Sequence, residues 1–245
     1  FINMFIDEAK IAGQLNHPNI AQIFDLGKVN DSYFIALEYI SGKDMKTIFE
    51  RSRRIGEKVS IPRVCYVIMK VCEGLGHAHH KKDANGHDLN IVHRDVSPQN
   101  VLISYEGECK IIDFGIAKAQ GKTSQTQVGI LKGKFSYMSP EQVRGLHIDR
   151  RSDIFSLGLT LYEVFTGRRA FEADTLAEIS KLHRESTPPS ASTILPDLDE
   201  SVERVLNRCL DQDAARRPPS ACAVAAALPG GDPLAAAPGV AHLAE

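Results

Sequence analysis

The sequence predicts an α+β fold, with a small β-containing part first and a larger, mainly helical part after it. Three observations carry this. Two β-like runs, Ile20 to Val29 and Tyr33 to Ile40, flank the turn residues Asn30-Asp31 and read as one hairpin. Beyond Gly42 the apolar residues recur mostly at helical spacing, as Val64, Val67, Ile68, Val71 and Leu75 do. The 245 residues, 43% hydrophobic and 24% charged, suffice for one large domain or two lobes sharing a core.

Taken in order, Met4, Ile11 and Leu15 mark a helical stripe. Asn16-His17-Pro18-Asn19 ends it, since proline disfavours helix in the residue before it. The hairpin follows, and Ser41-Gly42 breaks its second run. Ser60 can cap the next helix, with Pro62 in the first turn. Val101 to Ser104 and Cys109 to Ile112 are β-like, joined through Glu106-Gly107. Gly115 to Lys134 is polar and reads as a long loop, a length that compact domains usually keep for function. Ile154 to Phe165 is apolar almost all round, which suits a helix buried inside the domain. Helical patterns recur at Leu176 to Lys181 and Val202 to Leu210, and a short helix fits Ala221 to Leu228. Residues 229–245 are rich in Ala, Pro and Gly and read as a flexible linker. The expected units are therefore 1–40, 41–228 and 229–245.

Lys plus Arg number 29 and Asp plus Glu 31, so the net charge is −2. That argues against a broad basic surface for nucleic acid or anionic lipid. No apolar run approaches the ~20 residues of a membrane helix, and Phe1 to Lys10 lacks the features of a secretory signal. The five cysteines are scattered, without a CxxC pair, and read as free thiols in a reducing cytoplasm. His77, His79, His80 and His87 crowd together with no Cys or carboxylate at ligand spacing, and are expected to be solvated histidines at a helix end.

Three short segments stand in a fixed order: His93-Arg94-Asp95-Val96-Ser97-Pro98-Gln99-Asn100, Asp113-Phe114-Gly115 and Ser139-Pro140-Glu141. Together they resemble the catalytic loop, the metal-binding DFG and the APE segment of eukaryotic-type protein kinases, in their bacterial Ser/Thr branch. The resemblance runs over nearly the whole chain. Asp153 to Gly158 is similar to the start of the kinase's buried central helix, and Arg217 to the late Arg that pairs with Glu141. Leu37-Glu38-Tyr39-Ile40 is similar to the hinge between lobes.

The resemblance implies a two-lobed kinase fold and transfer of the ATP γ-phosphoryl group, with Mg²⁺, to a Ser or Thr hydroxyl of a protein. Such transfer asks for positioning and charge neutralisation more than for covalent chemistry. Asp95 then orients the acceptor hydroxyl, and Asn100 and Asp113 supply the oxygen ligands that Mg²⁺ prefers. Glu38 and Ile40 supply backbone hydrogen bonds to adenine beside Leu37, Asp44 meets the ribose and Leu102 packs under the base. Pro98 after Ser97 fits the Ser/Thr pattern better than the tyrosine one.

Glu8 shares a helical face with Met4, Ile11, Ala12 and Leu15, where an unpaired carboxylate is costly. In the family this Glu pairs with a strand Lys that holds the ATP phosphates. That Lys and the Gly-rich phosphate loop are expected before Phe1, so the chain reads as a fragment, inactive or nearly so alone. Two positions depart from the family pattern: Ser97 stands where it carries Lys, and Lys134 where Ser/Thr kinases carry Thr. The expectation is an exchange, with Lys134 reaching back beside Asp95. Arg94 and Lys118 are expected to form an anion pocket for a phosphate on the long loop, with Thr123, Ser124 and Thr126 as candidate sites and Thr126 the first of them. The alternative is a pseudokinase or non-catalytic interaction module, which Ser97 favours and intact Asp95, Asn100 and Asp113 oppose.

Overall fold

The computed structural model describes residues 9, 11–30, 32–57, 59–114 and 134–229, the last span without the Lys134 side chain. Ala9, Ile11 and Ala12 are helical; Leu15 lies beyond the helix end yet is fully buried. Met4 lies outside the described residues. The hairpin is present, with β1 (Ile23–Val29) antiparallel to β2 (Ser32–Leu37) and Val29 opposite Ser32. Asn30 sits at φ +46°, a left-handed conformation that Asn tolerates in a tight turn. The two strands form a sheet of their own.

Gly42 does not end a strand but opens one. β3 (Gly42–Asp44) pairs antiparallel with β4 (Val101–Ser104), which pairs with β5 (Cys109–Ile111). The missing side chain that reads as a breaker is what the pairing requires. A Cβ on Gly42 would lie 2.0 Å from the Ile103 carbonyl oxygen. Asp44 then caps α1 (Met45–Arg54), its Oδ1 accepting from Thr47 N at 2.9 Å. This helix buries Met45 and Ile48 against the sheet side of the core.

α2 (Ile61–His79) starts at Ser60 with Pro62 in its first turn, although the Ser60 hydroxyl makes no capping bond. The stripe Val64, Val67, Ile68, Val71 and Leu75 is buried throughout. After β4 and β5 comes α3 (Pro140–Val143), closed by a capping box between Ser139 and Gln142. α4 (Arg150–Thr166) is the axis of the helical part and is buried without interruption from Ser152 to Tyr162. It ends at Gly167, whose φ of +70° makes a left-handed cap. α5 (Leu176–Glu185), α6 (Ala191–Ile194), α7 (Glu200–Cys209) and α8 (Ala221–Ala227) surround it or its neighbours. Gly158 allows α7 to approach, since a Cβ there would come within 2.7 Å of Cys209 Cβ. One core joins α2, β4, β5, α4, α7 and α8, and a smaller one holds Phe135, Tyr137, Phe155, Phe171 and Ile179. Each fully buried Leu, Ile or Phe contributes about 1.5–3 kcal/mol. No helix among the described residues is long and apolar enough to cross a membrane.

Candidate active site

The open end of the β4–β5 pair brings two of the three segments together. Ile112 N donates to Asn100 O at 3.0 Å. Asn100 closes a 3₁₀ turn over Pro98–Asn100, and its Nδ2 donates to Asp95 O at 2.8 Å. The Asn100 amide oxygen makes no hydrogen bond among the described residues. Asp113 leaves β5 at φ +54°, exposed. Phe114 turns inward, its ring 4.6 Å from that of His93. His93 Nδ1 accepts from Asp95 N at 3.2 Å, so its proton is on Nε2, which donates to Ile112 O at 3.0 Å. Arg94 sits at φ +67°. A side chain in that region costs roughly 1–3 kcal/mol unless its surroundings hold it there.

Asp153, in the first turn of α4, is fully buried beneath this loop. Its carboxylate accepts from His93 N at 2.8 Å, Arg94 N at 2.8 Å and His79 Nε2 at 2.7 Å. Burial alone would raise its pKa, but the bond and charge of His79 and the bond from His93 N outweigh burial and hold the carboxyl below its ordinary value. His79 is thus not the solvated helix-end residue expected from sequence. It faces the core because it has a buried carboxylate to meet. His77 packs on the His17 ring at 5.0 Å, His80 bonds Gly76 O, and His87 approaches Asp83, so the four have separate partners.

The third segment is anchored by an ion pair. Arg217, 2% exposed, grips Glu141 with two bonds of 2.7 and 3.0 Å and also donates to Arg151 O and Asp211 O. Its guanidinium lies 4.7 Å from the Phe155 ring centroid. Ser152 Oγ adds a bond to Glu141 at 2.6 Å. Burial pushes the Glu141 carboxyl up, Arg217 and Ser152 pull it down, and the net shift is downward.

At the hinge-like segment, Glu38 N donates to Gln22 O at 2.8 Å. Its carboxylate takes Gln22 N at 3.1 Å and Lys110 Nζ at 2.7 Å. Burial opposes ionisation, yet the Lys110 and Gln22 bonds prevail and lower its pKa. Sequence reasoning considered only the Glu38 backbone and missed this pair. The available signal was Lys110 itself, a charge inside the apolar run Cys109 to Ile112, which needs a partner once buried.

Leu37 and Asp113 line one cleft of about 280 Å³, with Ala21, Ile35, Ile112 and Phe114. Ile40, Asp44 and Leu102 do not line it. Leu102 stands opposite Asp44 in the β3–β4 pair, and both Asp44 oxygens are engaged by Thr47. Ser97 is buried at the start of the turn carrying Asn100. Lys134 opens a 3₁₀ turn over Lys134–Tyr137, but its side chain, like Glu8, Lys118 and Thr126, lies outside the described residues.

Comparison with known proteins meets this geometry. The model of the protein kinase domain matches residues 2–227. The chain is 42% identical over 230 residues to the tyrosine-protein kinase MasK of Myxococcus xanthus, covering 93% of this chain and 35% of that protein. It is 35% identical over 217 residues to the serine/threonine-protein kinase PrkC of Bacillus subtilis, covering 89% and 32%. The chain thus spans about a third of the length of these curated relatives. Among solved structures, the kinase domain of Mycobacterium tuberculosis PknI superposes with a TM-score of 0.71 at 28% identity, covering 93% of this chain and 78% of that one. The ordered segments, the anchored central helix and these matches agree: the chain belongs to the protein kinase domain family, with bacterial serine/threonine-protein kinases among its relatives.

Proposed function

We propose that the protein carrying this chain transfers the γ-phosphoryl group of ATP to a Ser or Thr hydroxyl of a protein substrate in the cytoplasm. The observation that supports this most is the joint placement of Asp95, Asn100 and Asp113. Asp95 stands in a loop whose backbone is tied to Asn100, His93 and Asp153. In this reading its carboxylate orients the acceptor hydroxyl and takes up its proton as the oxygen attacks. The Asn100 amide oxygen and the exposed Asp113 carboxylate are two hard donors at one end of one strand pair, which fits Mg²⁺, an ion that keeps its remaining positions for water and phosphate. When bound there it neutralises developing charge on the phosphate oxygens. The Glu38 carbonyl and the Ile40 peptide groups, unbonded among the described residues, are the base-reading groups of the hinge. Asp44 at the ribose and Leu102 under the base complete the proposed nucleotide contacts, together with Glu8 as partner of a phosphate-binding Lys. The division into a small lobe over 1–40 and a large lobe over 41–228 belongs to the same reading and is supported by the two separate sheets.

In the same reading Lys134 supplies the positive charge that Ser97 cannot, and Arg94, Lys118 and Thr126 carry a phosphate-operated ordering of the intervening segment. Lys134→Thr in the full-length protein should lower kcat at least tenfold; an unchanged kcat removes Lys134 from the site. A second reading is favoured by one comparison, since the 42%-identical relative is named a tyrosine-protein kinase. Incubating the full-length protein with Mg-ATP and a mixed protein substrate separates them. Phosphoserine and phosphothreonine that vanish in Asp95→Asn are expected. Phosphotyrosine alone supports the second reading. No transfer by the wild type leaves a non-catalytic interaction module.

A further inference from the structure

We infer that Gln142 is a positioning residue that holds the Arg94–Asp95 peptide in the orientation phosphotransfer needs, an inference that rests on the role proposed for Asp95. Gln142 lies just outside the three motif segments. Its amide works in two directions. Oε1 accepts from Ser139 N at 2.9 Å while Ser139 Oγ accepts from Gln142 N at 3.3 Å, which closes the capping box of α3. Nε2 donates at 2.8 Å to the carbonyl oxygen of Arg94, 48 residues earlier in the chain. A glutamate satisfies a capping box equally well. What the amide adds is a donor, and that donor is directed at Arg94.

Arg94 is the residue that needs holding. At φ +67° it occupies a region that side chains disfavour and that persists only where the surroundings over-determine it. Asp153 Oδ1, from α4, accepts from its N–H at 2.8 Å, and Gln142 Nε2, from α3, donates to its carbonyl oxygen. That carbonyl shares a rigid plane with the Asp95 N–H, which donates to His93 Nδ1 at 3.2 Å. The plane is therefore pinned at both ends, by Gln142 at the oxygen and by His93 at the nitrogen. Asp95 departs from this plane, so the direction of its carboxylate follows from it. Gln142 thereby couples the Ser139-Pro140-Glu141 segment to the loop that carries Asp95.

Gln142→Glu tests this in the full-length protein. It keeps the acceptor for Ser139 N and turns an oxygen toward the Arg94 carbonyl. Hydrogen exchange should rise about tenfold in the peptide covering residues 90–97, with peptides from α2 and α4 at wild-type rates. Phosphotransfer should show kcat down about tenfold or more with KM for ATP within about twofold. Wild-type exchange at residues 90–97 overturns the inference. So does a uniform rise everywhere, which would mean Gln142 acts only through overall stability. If the wild type is active and Gln142→Glu keeps its kcat, the positioning role falls and the kinase reading stands. If the wild type transfers no phosphate but exchange responds locally, the reading of Asp95 falls and the Gln142 clamp stands.

Discussion

Replacing Asp153 by Asn changes almost no volume and removes one charge from the buried start of α4. Oδ2 of Asp153 accepts from His79 Nε2 and His93 N, and Oδ1 from Arg94 N. An amide has a single oxygen. Placed at the Oδ2 position, it keeps two bonds and turns its NH₂ against the Arg94 N–H. Placed at Oδ1, it keeps one and faces the His93 N–H with a donor. The better arrangement loses one bond to a charged acceptor, roughly 1.5–3 kcal/mol, and leaves a buried donor unsatisfied, roughly 1–3 kcal/mol. We expect Asp153→Asn to cost about 3–5 kcal/mol in urea unfolding at neutral pH with an unchanged m-value. A loss below about 1 kcal/mol would refute the reasoning that this carboxylate anchors the loop. The pH dependence adds a second check. The folded carboxyl titrates below its ordinary 3.8, so its contribution is complete above that value and is lost as pH falls through the lower, folded one. Wild type and variant should therefore draw together in acid; a gap as wide at about pH 3 as at neutrality contradicts the assignment.

Two further outcomes follow from burial. His183 is 3% exposed, edge-on to Phe155 and Phe171, with neither ring nitrogen hydrogen-bonded among the described residues. Burial, aided by Arg144, pushes its pKa down to about 4 from the ordinary 6.5. The unfolded chain therefore takes up this proton first, and stability that is complete above pH 6.5 should fall toward pH 4 by about 3 kcal/mol. His183→Leu should flatten that limb and be no less stable at neutral pH; an unaltered limb assigns it to another group. Among the cysteines, burial pushes Cys65 up to about 11, Cys109 and Cys209 up to about 12 and Cys72 well above its ordinary value, while Cys222 is exposed. A thiol reagent should find one fast group among these five in the native protein, and a second fast thiol would refute the packing around α2, β5 or α7.

Local pattern by itself determined much of this protein. The apolar stripe of α2, the all-round apolarity of α4, the β4–β5 pair and the order of the three motif segments are written in spacings of a few residues, which are set by backbone geometry. The same order carried the resemblance to kinases. What lay beyond local pattern was every pairing between distant residues. Gly42 reads as a breaker until Ile103 is placed against it, and His79 reads as a surface residue until Asp153 is found beneath it. Glu38 meets Lys110 and Gln142 meets Arg94 only once the chain has packed, whereas the pairing of Glu141 with Arg217 was implied by the resemblance. Periodicity reports which face of an element is apolar; it carries no record of which polar group will be buried opposite another. Those partners are chosen by packing, because a buried polar or charged group must find one or destabilise the fold. The sequence thus determined most of the longer elements and the order of the motif segments, and the tertiary structure decided which partners hold the loop of Asp95.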